Sequence, residues 1–349
     1  MESLAPAQFT PETTYLETAA TGLIPAGAVA ALAEAVAATA AGTLGIRGTF
    51  DVLEETRALY GRLHGVPADR VAAGHSVAVY CGLIAQSLPP GAEVIVAEGD
   101  FSSLVNPFHM RSDLHVRAVP LEKIADAVRP GTALVAVSAV QSADGRLAPL
   151  DAVTAAARAH GARTLVDLSQ SAGWLPLDAN AFDYTVCVGY KWLMCPRGVA
   201  FLTVPEDLGG LTPFFAGWVS GKDPWDSCYG RVEHLAPSAR RFDENPAIYS
   251  YLAARESLAL VTELGVERIG AHDRALADRF RAGLPALGRT PVPAEGSAIV
   301  SVPGIGAAAE RLTAAGVKVS ARAGNLRAAF HLYNTAADVD RLLEVLAGE

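Results

Sequence analysis

Lysine is nearly missing from this chain of 349 residues. Of its 28 basic side chains only Lys123, Lys191, Lys222 and Lys318 are lysines, so arginine supplies the cationic surface. Cysteine is also scarce. Cys81, Cys187, Cys195 and Cys228 show neither a Cys-x-x-Cys pair nor Cys/His metal spacing, so no metal site is expected and the thiols read as reduced and mostly buried. Cys195, four residues past Lys191, reads as a packing residue, with a place in a site wall as the alternative. No uninterrupted apolar run reaches the roughly 18 residues that span a bilayer, although 51% of the residues are hydrophobic. The opening stretch MESLAPAQFTPETTY has acids and no basic segment, so no signal peptide is expected. A net charge of −9 argues against nonspecific nucleic-acid binding. A soluble, cytoplasmic protein with a small-molecule ligand, and no nucleic acid or membrane as partner, is the expectation.

The length allows two domains and a large core, and no internal repeat or low-complexity linker breaks it. After YLETAATGLIP, a strand-like opening and turn, an Ala-rich helix is expected over 26–41, a Gly-rich loop over 42–50 and a helix to about 64. Short apolar runs (EVIVAE, ALVAVSAV, TLVDL, YTVCVG, GVAFLTV) then alternate with helical stretches, including one around LEKIADAV and one at LDAVTAAARAH that Gly161 would stop. That alternation argues for an α/β fold with a mainly parallel sheet flanked by helices. From about Arg240 long Ala/Leu/Arg helices (247–265 and 267–284), a short strand at AIVSV and a closing helix (336–347) suggest a smaller α+β domain. The expected division is 15–239 for the large unit and 1–14 with 240–349 for the small one.

The most informative stretch runs from Thr164 to Phe201. One apolar strand ends on Asp167, and a second, Tyr184 to Val188, runs into Gly189-Tyr190-Lys191. A carboxylate and an amine thus sit where ligands bind in an open α/β sheet. Desolvation between Tyr190 and Trp192 would lower the lysine's pKa, as a Schiff-base amine requires. A strand-end lysine snorkelling to water is the alternative, and Asp167 taken alone could be a helix N-cap.

With Asp167, Gln170, Lys191 and the PRG at 196–198, this stretch resembles the class V aminotransferases, pyridoxal-phosphate enzymes of fold type I, and the likeness extends from YLETAATG to HLYNT. The resemblance implies pyridoxal 5'-phosphate as cofactor. Lys191 would be the catalytic amine, Asp167 the partner of the pyridine nitrogen and Gln170 a donor to the phenolic oxygen. The phosphate would lie at Gly74-His75-Ser76, a turn into a helix whose N–H groups suit an anion, with Tyr190 adding its phenol. Phe101, after EVIVAE, would stack on the ring or be plain core. A homodimer with shared active sites is implied too, Asn245 taking the place of a threonine that reaches the phosphate across the interface.

The substrate carboxylate would be held by Arg327, whose planar fork matches it. In the Tyr333-Asn334-Thr335 that follows, Thr335 reads as an N-cap with Asp338 closing a capping box, and His331 as a satisfied buried histidine. Side-chain recognition would fall to Thr18-Ala19-Ala20, the loop at Arg47, and Trp218 or Trp225. The stretch SARAGNLR (320–327) lacks the cysteine that a desulfurase of this family needs. With Phe101, Gly-Tyr-Lys and PRG resembling the lyase and kynureninase-like branch, an amino-acid lyase (β-elimination, C–S or C–C cleavage) is the expected activity, with an aminotransferase, an epimerase or racemase, and lastly a catalytically degenerate binding protein as alternatives.

Overall fold

Residues 1–348 are described by a computed structural model. The chain begins with β1 (Thr14–Tyr15), α1 (Ala26–Ala40) and α2 (Ile46–Leu63), then β2 (Val71–Gly74) and α3 (Val77–Ser87). Next come β3 (Glu93–Ala97), α4 (Ser102–His109), β4 (His115–Val119), β5 (Thr132–Ser138) and α5 (Leu150–His160). Three more strands follow, β6 (Arg163–Asp167), β7 (Tyr184–Val188) and β8 (Ala200–Thr203).

These strands form one seven-stranded sheet, ordered β2-β8-β7-β6-β5-β3-β4. All pairings from β7 to β4 are parallel, and β8 runs antiparallel to both of its neighbours. Strands buried on both faces read as continuous apolar runs, which is why the Val/Ala/Leu segments identified them. Val94, Val96, Leu134 and Ala136 pack on one face with Leu83 and Ile84 of α3 and Phe108 of α4. The intervening Ile95, Ala97, Val135 and Val137 pack on the other with Val153 and Ala157 of α5. Gly161 ends α5 at φ 70°, a left-handed turn that a side chain would resist. From β3 the chain steps out to β4 and then back across to β5, so the crevice at the C-terminal ends of β3 and β5 is the place where a ligand fits.

The remainder comprises α6 (Ile248–Leu264), α7 (Val266–Gly283), β9 (Ile299–Val302), α8 (Ala308–Ala314), β10 (Val317–Lys318), β11 (Ser320–Arg322), β12 (Asn325–Ala329) and α9 (Ala336–Ala347). Strands β11, β12 and β9 form an antiparallel sheet, and β1 pairs with β10. We propose the division into a large unit (15–239) and a small one (1–14 with 240–349), and the packing shows where its seam is crossed. Tyr251, Ala254 and Leu258 of α6 lie in the core of the large sheet, and Leu16 lies in the core of the small one. Thr335 caps α9 through the expected box, its hydroxyl accepting from Asp338 N at 3.3 Å while its own N–H donates to Asp338 Oδ2 at 2.7 Å. No helix among the described residues is long and apolar enough to cross a membrane, and no group of three or more His, Cys, Asp or Glu among them could hold a metal.

Two local expectations are corrected. The helix expected around LEKIADAV is one 3-10 turn, Leu121–Lys123. It lies between Pro120 and Pro130, and the Arg117 guanidinium takes the Ala127 carbonyl. The loop expected over 42–50 ends early, because α2 begins at Ile46. Phe50 is drawn into the helix by packing edge-on, at 5.5 Å, against both Trp218 and Trp225. Arg47 therefore belongs to a helical first turn rather than a loop.

One buried ion pair ties the start of the sheet to the region before α6. Arg57 donates to both oxygens of Asp243, at 3.2 and 2.6 Å, and to the Val71 carbonyl, while Asp243 also accepts from Ala73 N. Both side chains are buried, so removing one leaves an uncompensated charge. Arg57→Ala is expected to cost about 3–5 kcal/mol, read as a lowered urea midpoint of the apoprotein. A loss under about 1 kcal/mol would mean the pair behaves like a surface contact.

Candidate active site

Lys191 emerges where β7 has run out and the chain must turn sharply. A Cβ on Gly189 would lie 2.9 Å from Val199 Cγ1 and 3.0 Å from Cys195 Cβ, and one on Gly22 would lie 2.0 Å from the Lys191 carbonyl oxygen. Both glycines are therefore demanded by close approach, and Gly22 N donates to the Tyr190 carbonyl at 2.9 Å. The Lys191 side chain is 5% exposed. Among the described residues Nζ makes no hydrogen bond; it faces the ring of Phe101 at 5.0 Å and that of Tyr190 at 6.0 Å. Burial lowers its pKa to about 8; Asp167 opposes the shift, and Arg327 and Arg197 reinforce it.

Asp167 ends β6 beside it, buried, with Oδ1 accepting from Ser169 N at 2.8 Å. Burial pushes its carboxyl up, while the Ser169 hydrogen bond and the Lys191 charge pull it back. One cavity gathers Lys191, Asp167, Phe101, Tyr190, His75 and Ser76. Larger hollows, of about 620 Å³ beside His64 and about 460 Å³ beside Gln8 and Ala33, contain no lysine. Phe101 is oriented by its neighbour. Asp100 accepts from Phe101 N, Ser138 N, the Ser138 hydroxyl and Gln141 Nε2, which fixes the turn after β3.

The Gly74-His75-Ser76 turn leads into α3, with Ser76 at the N-cap and its hydroxyl not engaged in capping. A Cβ on Gly74 would lie 2.6 Å from Tyr80 OH, so this position also excludes a side chain. His75 Nδ1 lies 3.0 Å from Glu244 Oε2, which brings the Glu244-Asn245-Pro246 turn beside the Gly74-His75-Ser76 turn of the same chain. Asn245 itself is exposed and does not line the cavity.

Gln170 is placed differently from the expectation. Its Nε2 donates to the Ala19 carbonyl at 2.9 Å and to Ser142 Oγ at 3.0 Å, and its Oε1 accepts from Trp192 Nε1 at 2.8 Å. Both donor hydrogens are engaged, so the amide braces the site from behind, with Ala20 in the adjoining turn. Ser142 continues this brace to Arg327, whose Nη1 donates to its carbonyl and hydroxyl, while Nε donates to Ser320 Oγ at 3.1 Å. Arg327 is 1% exposed, and its Nη2 is buried with no partner. Burial lowers its pKa to about 10; Arg322 adds to this and Glu17 opposes it.

Trp218, Trp225 and Arg47 do not line the cavity. They pack on one another, the two indoles 5.4 Å apart and the Arg47 guanidinium 4.4 Å above Trp225. Cys195 is buried in the core against Val199 and Leu193 with its thiol pKa pushed up by burial, a packing role. Sequence reasoning missed Ser103 and Ser169 in the cavity wall, Ser142 behind it, and Arg197, stacked 4.2 Å from the Tyr190 ring. Arg197 belongs to the PRG motif, so a signal for it was present.

Comparisons with known proteins bear on the family and the fold. The description Aminotransferase class-V matches residues 14–342. A Bacillus subtilis (strain 168) protein described as uncharacterized aminotransferase YcbU is 29% identical over 64% of this chain and 62% of its own. A kynureninase of Deinococcus radiodurans is 29% identical over 62% of this chain and 56% of its own, so the matches span about six-tenths of these relatives. Among solved structures, the cystine C-S lyase C-DES superposes with a TM-score of 0.88 at 22% identity, covering 96% of this chain and 97% of that one. A cysteine desulfurase from Thermococcus onnurineus NA1 superposes with a TM-score of 0.82 at 21% identity, covering 97% of this chain and 94% of that one. Both share the fold type I architecture described above. With the family description matched over residues 14–342, nearly its whole length, this chain belongs to the class V aminotransferases.

Proposed function

We propose that the protein is a pyridoxal-phosphate enzyme that acts on an amino acid as a lyase, breaking a C–S or C–C bond at the substrate's β-carbon. The observation that carries the cofactor reading is the buried, unbonded amine of Lys191 facing an aromatic ring beside a buried carboxylate. The residues present fit the group. Lys191 would hold its aldehyde carbon, Asp167 its pyridine nitrogen, and Phe101 its ring face. Ser76, His75 and the N-terminus of α3 would hold its phosphate. When bound, pyridoxal phosphate supplies the electron sink that stabilises negative charge at the substrate's α-carbon.

The protein's own residues do the rest. The unpartnered Nη2 of Arg327 offers a charge-assisted hydrogen bond to the substrate carboxylate. Lys191 Nζ, with its pKa lowered to about 8, is suited to take the α-proton as general base near neutral pH. Phe101, itself 41% exposed, and Val188 put apolar surface beside that atom. Phe101 cannot transfer a proton, and 320–327 contains no cysteine to accept sulfur. These two features support an elimination rather than transfer of sulfur to the protein. We also read the protein as a homodimer with shared active sites. Phe214, Phe215 and Tyr229 are 55, 51 and 94% exposed in the stretch that carries Trp218 and Trp225, an apolar surface that a second copy would cover. Trp218, Arg47 and Asn245 would reach a site only across such an interface.

Incubating the loaded protein with a panel of amino acids, with and without 2-oxoglutarate, tests the reaction. Pyruvate and ammonia formed without the keto acid are expected. Turnover that requires the acceptor would replace the lyase with an aminotransferase, and loss of optical activity alone would replace it with an epimerase.

A further inference from the structure

Two buried side chains link the C-terminal part of the fold to the peptide that follows Lys191. His331, just after β12, and Asp273, in α7, are both 0% exposed. His331 Nδ1 lies 2.8 Å from Asp273 Oδ2, and Nε2 lies 2.9 Å from the Trp192 carbonyl oxygen. The number of protons follows from the partners. A carbonyl can only accept, so Nε2 carries a hydrogen. Two bare acceptors would repel at 2.8 Å, so a second proton lies between Nδ1 and the carboxyl, whichever atom holds it. Either way the pair is neutral overall, as full burial requires. Burial raises the Asp273 pKa to about 6, while the His331 charge and hydrogen bond pull it back. Its other oxygen, Oδ1, is buried without a partner, so His331 is its only polar contact among the described residues. The remaining groups facing the pair are His272, bonded to the Asn334 carbonyl at 3.0 Å, the Arg274 charge, and the Tyr333 ring 5.4 Å from the imidazole.

The imidazole holds more than a carbonyl. The Trp192 indole stands edge-on to it at 5.1 Å, and the indole N–H is held by Gln170 at 2.8 Å. The Trp192 residue is therefore gripped at both its backbone and its ring. We propose that Asp273 and His331 form a positioning pair for Lys191: Asp273 fixes the imidazole, the imidazole fixes the Trp192 carbonyl, and the adjoining lysine is left one direction in which to project its amine. This rests on the reading of Lys191 as the amine that takes the cofactor. The role is one of positioning, since neither side chain lines the cavity.

Coupling between two sites is reciprocal, so loading the amine must be felt at the imidazole. In protein labelled with ¹⁵N-histidine, the His331 ring signals, recognised as those displaced by Asp273→Asn, are expected to shift when pyridoxal phosphate is added to the apoprotein. Unchanged signals would overturn the proposal. The second measurement is the rate at which apoprotein captures pyridoxal phosphate in a borohydride-reducible form. His331→Leu, which has no donor for the Trp192 carbonyl, is expected to slow capture about tenfold, with the urea midpoint of the apoprotein as the folding control. Asp273→Asn still offers a donor to Nδ1 and is expected to stay within about twofold of the parent. Parental capture by a folded His331→Leu would sink the idea; if that variant does not fold, the labelled parent decides alone. Failure of the cofactor reading looks different, because Lys191→Ala would then leave covalent capture intact.

Discussion

Replacing Lys191 by alanine is expected to leave a folded protein that no longer links covalently to pyridoxal phosphate and turns over its amino acid at least roughly 10⁴-fold more slowly. Nothing nearby can substitute. The other three lysines, Lys123, Lys222 and Lys318, are absent from the cavity wall. Borohydride reduction followed by peptide mapping checks the linkage, and a label found at any other residue would remove Lys191 from its role. The same amine predicts a pH profile. Its folded pKa of about 8 lies below the ordinary 10.5, so the neutral, nucleophilic form grows tenfold per pH unit up to about 8 and then levels off. Capture of the cofactor by apoprotein is expected to follow that curve. Linkage gives the sign for stability. Between about 8 and 10.5 the unfolded chain binds this proton and the folded one does not, so the contribution of Lys191 to stability rises with pH there. Below about 8 both states are protonated, and the folded state bears the full cost of a buried ammonium.

Arg327→Met is expected to separate binding from folding. A buried charge-assisted pair is worth about 2–5 kcal/mol when one partner is truncated, so kcat/KM for a carboxylate substrate should fall roughly 30- to 4,000-fold. An amine of the same shape without the carboxylate should lose little, since it never formed the pair. The apoprotein should be far less affected than by Arg57→Ala. Arg57 has Asp243 as its counter-charge, whereas the carbonyl and hydroxyl partners of Arg327 leave its charge uncompensated and one nitrogen without a bond. Equal losses on both substrates would mean that Arg327 serves packing rather than recognition.

How much could be read beforehand depended on the range of the interactions involved. The sheet strands were legible because doubly buried strands must be apolar along their whole length. Gly161 and the Thr335/Asp338 box were legible because caps are set within four residues. The helix at 121–128 was misjudged: the segment, set between Pro120 and Pro130, keeps only the 3-10 turn Leu121–Lys123. Gln170 was read as a donor to the cofactor's phenolic oxygen, whereas in this chain its two hydrogens go to Ala19 and Ser142, at sequence separations of 151 and 28. Trp218, Trp225 and Arg47 were read as a site wall, and a single chain stacks them on each other instead.

By itself, the sequence determined that an amine and a carboxylate would end two neighbouring strands of a buried parallel sheet, because the apolar runs before Asp167 and Lys191 leave those residues at one edge. It also singled that amine out, since cationic surface is provided elsewhere by arginine. Tertiary structure alone decided that Arg327 would keep one nitrogen unbonded, that Gln170 would donate to Ala19 and Ser142, and that His331 would hold the carbonyl beside Lys191. Those outcomes depend on which donors and acceptors meet across folded distances, and no local pattern in a chain records who will already be engaged when the site closes around them.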